Sequence, residues 1–240
     1  NLNYVKPNDY VNTVVSDGAG GWYIGGEFTQ VGAVARNYIA KINADGSLNS
    51  WNPGADGYIN TLALSGNTLY VGGNFSNIAG QPRNSLASFN TTTGALNSWN
   101  PDAPNGDITT IAIDGSTVYI GGNFSMVGSE FRYNIAALDA STGSVTTWAP
   151  DADGGVTKIL INGGVAYVGG SFTLLGGQAR NNIGAVNTST GFATAWDPDA
   201  DELVITMAIS GTTLYVGGEF TTIGGASRDG GIAALSLSTG

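Results

Sequence analysis

The sequence predicts an all-β protein, a five-bladed β-propeller with four antiparallel strands in each blade. Two observations predict this fold: one short stretch occurs five times, and the spacing between its occurrences is nearly constant. The stretch reads TLYVGGNFS in its second occurrence, and its first glycine stands at Gly25, Gly72, Gly121, Gly169 and Gly217. The steps between these glycines are 47, 49, 48 and 48 residues. A fixed period of this size is typical of repeated supersecondary units, which we number copy 1 to copy 5.

Each copy reads as four short strands separated by turn residues. The predicted strands of copy 2 are 59–64, 69–75, 85–89 and 95–99. Gly66 and Asn67 form a tight turn between the first two strands, and a loop at 76–83 leads into the third. The strands are rich in β-branched and aromatic residues, and no window has the 3.6-residue period of a helix. Four antiparallel strands in a repeat of this length are typical of one propeller blade.

The two ends of the sequence predict that the ring closes. Residues 1–7 match residues 47–53 position by position, and Val5 stands where the other copies have Trp51, Trp99, Trp148 and Trp196. We therefore expect residues 1–7 to supply the outer strand of the last blade, so that residues 1–240 form a single domain. Because the sequence starts on Asn, we expect a mature product or a piece of a longer chain.

Two residue types of the repeat have structural explanations. The Trp of the fourth strand is predicted to pack between neighbouring blades, since a large aromatic ring covers the most area. The paired glycines lie within a strand, where glycine is typical of a bulge or of a close approach between backbones. A phosphate-binding loop is not expected, because neither a helix nor a Lys follows the glycines.

The composition excludes several classes of site and partner. The chain has 240 residues with no Cys and no His, so disulfides, thiolate metal sites and His-based catalysis are excluded. Only 8 residues are Lys or Arg against 18 Asp or Glu, which gives a net charge of −10. Nucleic acid and anionic membranes are poor partners for such a surface. No apolar run is long enough for membrane insertion.

The arginines occupy one position of the repeat. There is one in each copy, where the third strand begins, at Arg36, Arg83, Arg132, Arg180 and Arg228. We expect each guanidinium to fork onto a carboxylate or carbonyl of a loop between copies and so to lock adjacent blades in a structural ring. A role that is repeated five times is typical of architecture rather than catalysis.

Other residues are candidates for binding. The Asp-rich loops at Asp151 with Asp153, and at Asp199 with Asp201, resemble the start of a calcium loop, although Asp also favours turns for local reasons. Glu27 and Glu219 occupy the same position of copies 1 and 5, where copies 2 to 4 have Asn or Ser. Phe131 and Phe192 are aromatic departures from the repeat. We expect Phe131 to be a ligand-binding residue that stacks on a sugar ring, or a cover for the edge of its blade.

The repeat resembles a known family. Its pattern, VGGNF-S-x-I followed by R-N-x-I-A and T-G-x-[VL]-x-x-W, resembles the delta-sixty type of bacterial β-propeller repeat in all five copies. Copy 1 departs at Lys41–Gly46, and copy 5 has Asp229 where Asn is usual. The resemblance implies a secreted or cell-surface bacterial protein. It implies no activity and no catalytic residue, and the position of the two ends within one blade suggests an excised, permuted or rebuilt ring.

These observations favour a non-catalytic binding or scaffold module of an extracellular or cell-surface bacterial protein. Its ligand, a glycan or a protein, is expected on the loop face or at the mouth of the channel. Two alternatives stay open: a purely structural or engineered propeller without a ligand, and a calcium-assisted or carboxylate-based hydrolase. We expect no enzyme activity, a monomer, and no cofactor apart from calcium as a candidate.

Overall fold

The computed structural model describes residues 5–103 and 105–240, and within these ranges every regular element is a β-strand. The chain divides into two compact units. One is Asn1–Ile111 with Ser141–Gly143, and the other is Ala112–Ala140 with Ser144–Gly240. In the described part of the chain, no helix is long and apolar enough to cross a membrane.

Copies 1 and 2 each form a three-stranded antiparallel sheet and a small hairpin. The strands of copy 1 are β1 (Val11–Ser16), β2 (Trp22–Gly26), β3 (Gln30–Val31), β4 (Val34–Ala35) and β5 (Ile39–Ile42). The strands of copy 2 are β6 (Tyr58–Ser65), β7 (Thr68–Asn74), β8 (Asn77–Ile78), β9 (Gln81–Pro82) and β10 (Leu86–Asn90). The second strand of each copy is the central one, in the orders β1-β2-β5 and β6-β7-β10, and the hairpins pair β3 with β4 and β8 with β9.

Copies 3 to 5 repeat the same arrangement. The strands of copy 3 are β11 (Asp107–Asp114), β12 (Thr117–Asn123), β13 (Met126–Val127), β14 (Glu130–Phe131) and β15 (Ile135–Asp139). Those of copy 4 are β16 (Val156–Asn162), β17 (Val165–Gly170), β18 (Leu174–Leu175), β19 (Gln178–Ala179) and β20 (Ile183–Asn187). Those of copy 5 are β21 (Val204–Ser210), β22 (Thr213–Gly218), β23 (Thr222–Ile223), β24 (Ala226–Ser227) and β25 (Ile232–Ser236).

The structure corrects two details of the predicted blade. The predicted loop at 76–83 contains the hairpin β8-β9. The predicted fourth strand is an irregular segment that pairs with the third strand at a single bridge, as at Phe89–Leu96 in copy 2. Because the segment leaves the ladder, one of its carbonyl groups, that of Asn97 in copy 2, is free to accept a hydrogen bond from the Arg83 guanidinium.

The paired glycines are explained by close packing, as the sequence predicts. A side chain at Gly25 would lie 2.5 Å from Ile59, which belongs to the first strand of the next copy. A side chain at Gly26 would collide with the Tyr10 carbonyl oxygen. The first strand is bulged opposite this pair, between Val11 and Thr13. The glycines therefore let one sheet receive the aliphatic side chain of the following one.

Trp51, Trp148 and Trp196 each pack between their own copy and the next, which confirms the prediction for these three residues. In copy 1, the Trp51 ring meets the Tyr23 ring of its own copy edge-on, with centroids 5.4 Å apart. Its Nε1 donates to the Gly94 carbonyl of copy 2 at 2.9 Å. The rings of Trp148 and Trp196 donate in the same way to the copy that follows each of them. One aromatic ring thus joins two consecutive sheets by area and by a hydrogen bond.

The predicted closing strand at 1–7 lies partly outside the described residues, since residues 1–4 are not among them. Its described end sits on copy 1 as the equivalent segment sits on copy 2. The Val5 amide donates to the Gly46 carbonyl at 3.3 Å, and Pro7 forms a bridge with Val31, as Ala55 does with Ile78. This register places Pro7 where Ala55 stands and Val5 where Pro53 stands on copy 2, so the predicted match of Val5 with Trp51 is wrong by two residues.

The last and the first sheets carry apolar side chains that are exposed. In the last sheet, Ile232 is 72% exposed, whereas its equivalent in copy 4, Ile183, is fully buried. Tyr215 in the same sheet is 49% exposed, against 5% for Tyr167. In the first sheet, Val11 is likewise exposed although the equivalent Ile59 is fully buried.

Candidate functional site

The arginines clamp the copy to which they belong. Arg36 donates from Nη1 to the Ala35 carbonyl at 2.8 Å and from Nη2 to the Asn49 carbonyl at 2.9 Å. The same fork recurs at Arg83, Arg132 and Arg180, and Arg228 donates to the Ser227 carbonyl. The acceptors are carbonyl groups, as expected, but in each described fork the second acceptor lies in the fourth segment of the same copy. This differs from the predicted lock between blades, because the fork joins the hairpin to the fourth segment within one copy. Arg180 Nη1 in addition lies 3.2 Å from Asp197 Oδ2, a carboxylate of the loop between copies 4 and 5, as the sequence predicts.

One loop position between copies holds the hairpin that follows the second strand. Asp153 accepts hydrogen bonds at Oδ1 from the Thr173 and Leu174 amides, at 2.7 and 2.8 Å, and at Oδ2 from the Thr173 hydroxyl at 2.6 Å. The same position is occupied by Asn8, Asp56 and Asp201 in copies 1, 2 and 5. Burial by itself raises the pKa of Asp153, but these hydrogen bonds outweigh it and lower the pKa below its ordinary value.

These contacts bear on the predicted calcium residues. Asp153 and Asp201 already receive donors from their own hairpins, and Asp199 accepts a hydrogen bond from the Asn181 amide. Within residues 5–103 and 105–240, no three Asp, Glu, His or Cys residues are grouped so as to hold a metal ion. Calcium binding stays a prediction.

A second loop position also carries Asp, in a left-handed backbone conformation. Its φ values are 57°, 44° and 53° at Asp102, Asp151 and Asp199. The side-chain amide of the residue after each Arg covers two of these carboxylates: Asn84 donates to Asp102 at 2.7 Å and Asn181 donates to Asp199 at 2.8 Å.

Copy 3 lacks this covering amide, because Tyr133 follows Arg132. Asp151 Oδ1 accepts from the Tyr133 backbone amide instead, at 3.1 Å. The carboxylate of Asp151 is thus the one of these three that no Asn side chain covers. It therefore retains acceptor capacity at the surface.

Next to Asp151, the junction of copies 3 and 4 contains a cavity of about 530 Å³. Its side-chain walls are formed by Tyr133, Asn134, Asp151, Asp153, Leu174 and Phe192. Phe192 is 72% exposed, Leu174 51% and Tyr133 48%. None of the described residues that line the cavity is a Lys or an Arg. Exposed apolar walls with a few convergent polar groups are typical of a ligand site, and the volume lies in the range of small-molecule pockets.

The apolar walls are departures from the repeat. Tyr133 stands after the Arg, where the other copies have Asn37, Asn84, Asn181 and Asp229. Phe192 follows the turn glycine, where copies 1 to 3 have Ser47, Ala95 and Ser144. Leu174 replaces the polar Gln30, Asn77 and Thr222, and copy 3 has Met126 there. Three departures, contributed by two copies, therefore converge on one cavity, whereas repeated residues build the frame around it.

The other residues predicted to bind ligand lie elsewhere. Phe131 is 65% exposed on strand β14 and does not line the cavity. Glu27 and Glu219 belong to different units, and their backbone amides donate to the carbonyls of Tyr10 and Leu203. The structure brings Asp151 and Asp153 together, while Asp199 and Asp201 lie at the next junction. Ligand binding by these residues stays a prediction.

Sequence reasoning missed this cavity. Phe192 stands out in the sequence as an aromatic departure from the repeat, but the repeat pattern does not connect Tyr133 or Leu174 with it. A comparison of the copies position by position gives the missing signal, because all three are the larger apolar residue at a position that is mostly polar or small. That comparison does not by itself tell which departures meet in space.

A second cavity, of about 350 Å³, lies at the junction of copies 1 and 2. It is lined by Tyr23, Lys41, Asn49, Trp51 and the turn at 90–94. Lys41 Nζ lies 3.1 Å from Asp17 Oδ2 and 4.9 Å from the centre of the Tyr23 ring. The charge of Lys41 is therefore already paired within the protein, and this cavity offers fewer free groups than the first.

The chain is similar in part to a family described as a β-propeller domain of unknown function, DUF5122. The match covers residues 20–50 and 67–98, which lie in copies 1 and 2. A search of curated proteins found no match. The sequence likeness therefore supports a β-propeller repeat family and indicates no activity.

Solved structures show the fold. The WD40 β-propeller domain of Doa1 superposes with a TM-score of 0.63 and 13% identity over 95% of this chain and 69% of that one. BamB from Moraxella catarrhalis gives 0.55 and 18% over 96% and 61%. A chain of the mitotic checkpoint complex gives 0.65 and 11% over 98% and 63%. This chain thus spans about three fifths of the last two. Repeated antiparallel sheets and these similarities together establish a β-propeller fold.

Proposed function

We propose that this protein is a non-catalytic binding module that takes a saccharide in the cavity between copies 3 and 4. One observation carries the proposal: the apolar departures Tyr133, Leu174 and Phe192 meet around a single cavity. Exposed aromatic side chains offer the apolar surface on which the C–H face of a sugar ring packs. The neighbouring Asp151 carboxylate supplies a polar group for hydroxyls.

Binding is favoured over catalysis by the state of the carboxylates. Asp153 receives three donors from its own hairpin, and the same arrangement recurs in other copies, which is typical of architecture. A hydrolytic pair needs two carboxylates held in contrasting environments across a substrate. Among the cavity carboxylates, Asp151 alone lacks such a set of intramolecular partners, so the cavity is better suited to holding a ligand than to cleaving it.

We also propose that the protein is a five-bladed ring, closed by residues 1–7 against the last sheet. The bridge of Pro7 with Val31, which repeats that of Ala55 with Ile78, supports this proposal, because residues 5–7 lie on copy 1 as residues 53–55 lie on copy 2. So does the exposed apolar face of the last sheet around Ile232, since apolar faces of this kind are normally covered. We further propose a monomer outside a bacterial cell or on its surface, and the acidic, Lys-poor composition supports this location.

Ring closure is tested by comparing Ile232→Ala with the matched variant Ile183→Ala. If the ring closes, both isoleucines are buried and each substitution lowers the free energy of unfolding by about 2–5 kcal/mol. Denaturant titration measures both. A loss at Ile183 alone, with a change at Ile232 within about 0.5 kcal/mol, would contradict closure.

Saccharide binding is tested with a glycan array, followed by calorimetry on the saccharide that binds best. The variant is Tyr133→Asn with Phe192→Ser, which restores at both positions the residues usual in the other copies. Because these positions accept the replacement residues elsewhere in the chain, we expect the melting temperature to be kept and affinity to fall at least about tenfold, as expected when stacking on two rings is lost.

Phe131→Ala is the matched control, an exposed aromatic residue outside the cavity. It should leave affinity unchanged. An array without any hit would refute the saccharide function. A hit whose affinity falls with Phe131→Ala, but not with the double variant, would move the site to the hairpin β13-β14.

A further inference from the structure

The charge of the cavity between copies 3 and 4 indicates which kind of saccharide it selects. This inference rests on the proposed function. Asp151 and Asp153 line the cavity, and the other described residues that line it carry no charge. With a net charge of −10, the whole protein adds to the negative potential there. An anionic saccharide is disfavoured by such a site, whereas a cation is attracted.

The Asp151 carboxylate is the group that a cation would meet. At the equivalent positions, an Asn side chain donates to Asp102 and to Asp199 at 2.7 and 2.8 Å. At Asp151 the covering amide is replaced by Tyr133, and the Oδ1 atom receives only the longer backbone hydrogen bond of 3.1 Å in the described contacts. The same substitution thus uncovers a carboxylate and places an aromatic side chain beside it.

Aromatic side chains complete a cation-binding arrangement. Tyr133 and Phe192 are both about half exposed or more, at 48% and 72%, and both line the cavity. The face of an aromatic ring attracts a cation through its quadrupole, and the attraction adds to that of a nearby carboxylate. A neutral sugar uses the rings alone, while a sugar with an ammonium group uses the rings and the carboxylate.

We propose that the cavity binds an amino sugar with a free, protonated amine, held against Asp151 between Tyr133 and Phe192. The amine makes a charge-assisted hydrogen bond to the carboxylate oxygen that no Asn covers. The sugar ring packs on the aromatic walls and on Leu174. N-acetylation removes the positive charge, so the acetylated sugar loses both the ion pair and the cation–π attraction.

The test is calorimetry with three tetramers of the same linkage: glucosamine, N-acetylglucosamine and glucose. At about pH 5.5 an ordinary amine is protonated. We expect the glucosamine tetramer to bind about tenfold more tightly than the other two, and the preference to weaken as salt is added. Asp151→Asn should abolish the preference, because Asn keeps the oxygen that accepts from Tyr133 and tolerates the left-handed backbone.

Asp199→Asn is the matched control at the next junction, and it should leave the preference intact. Equal binding of all three tetramers that still depends on Phe192 would overturn the selectivity while leaving the proposed function standing. Tighter binding of the N-acetylated tetramer would overturn it in the same way. If no saccharide binds, but a lysine-bearing peptide binds and loses affinity in Asp151→Asn, both the amino sugar and the saccharide function are refuted.

Discussion

The junction between copies 1 and 2 and the junction between copies 3 and 4 share a frame but differ in their walls. At both junctions a Trp from one copy donates to a carbonyl of the next, Trp51 to Gly94 and Trp148 to Asn187. The cavity of the first junction is lined by Asn49–Trp51, which lead into the Trp, and that of the second by residues 149–153, which follow it. The hydrogen-bonding Trp is common to both junctions, and the departures from the repeat that line the cavities differ, with Lys41 at the first and Tyr133, Leu174 and Phe192 at the second.

The difference between the residues that line the two cavities indicates how a single site can arise in a protein built from equivalent repeats. At the first junction the unrepeated pair is Lys41 with Asp17, whose charges neutralise each other at 3.1 Å. At the second junction Tyr133 removes the partner of a carboxylate and adds apolar surface beside it. A residue that departs from the repeat and finds a partner within the protein has a structural role. A residue that departs from the repeat and leaves a polar group without a strong partner at the surface provides a site for a ligand.

The largest expected effect comes from removing the Trp that is buried at the second junction. Trp148 is 6% exposed and meets Tyr119 edge-on at 5.1 Å, so Trp148→Ala should cost about 3–5 kcal/mol of unfolding free energy. Trp51 is only half-buried beside its cavity, so Trp51→Ala should cost clearly less. Urea denaturation of the two variants measures the difference. Equal losses would show that the two junctions do not differ in packing.

Replacing an arginine of the repeat should lower the free energy of unfolding by an intermediate amount, and by the same amount in copy 1 and in copy 3. Arg36 and Arg132 each donate to two carbonyl groups, and a Lys cannot reproduce this planar fork. Arg36→Lys and Arg132→Lys should each lower the free energy of unfolding by about 1–3 kcal/mol, since a charged group loses a hydrogen bond in a mostly buried place. Thermal unfolding followed by circular dichroism measures the loss, and an unchanged melting temperature in either variant would refute the clamp.

Most of the frame could be predicted from the sequence. The regular spacing of the glycines and the Trp residues predicts the sheets, the close approach at Gly25 and the packing of Trp51 on the next copy. The acceptors of the arginines could not be predicted in the same way. The fork of Arg36 closes on Asn49 because the fourth segment leaves the ladder, and spacing alone does not reveal that departure.

The candidate site could be predicted only in part. Asp151 and Asp153 are close in the sequence and resemble the start of a calcium loop, so the sequence alone indicates them as candidates. Tyr133 and Phe192 are far apart in the sequence, and they line the same cavity because the turn of copy 4 packs against the loop that follows Trp148. This packing is a property of the junction and not of one copy, so a pattern derived from single copies does not contain it.

The smallest expected effect is on the pH dependence of stability. It distinguishes the charged residues Asp56 and Asp153, which accept hydrogen bonds from the hairpin that follows the second strand, from the neutral Asn8 at the same position; we call these residues hairpin caps. Hydrogen bonds lower the pKa of Asp56 and Asp153 below the ordinary value of 3.8, although burial alone opposes this. A carboxyl with a lowered pKa in the folded state stabilises the fold above its ordinary pKa, and this stabilisation is lost as the pH falls through the lowered value. The melting temperature should therefore fall as the pH drops below about 4.

The cap of copy 1 supplies the control for this titration. Asn8 makes the same hydrogen bonds to its hairpin, with both amides at 2.9 Å, and carries no charge. Asp153→Asn should therefore keep most of the stability at neutral pH and reduce the acid-induced fall in melting temperature by a few degrees at most, because this carboxyl is largely exposed to solvent screening. Melting curves from neutral to acidic pH measure both quantities. A variant with the full acid dependence of the unmodified protein would show that the charge of Asp153 contributes nothing to stability.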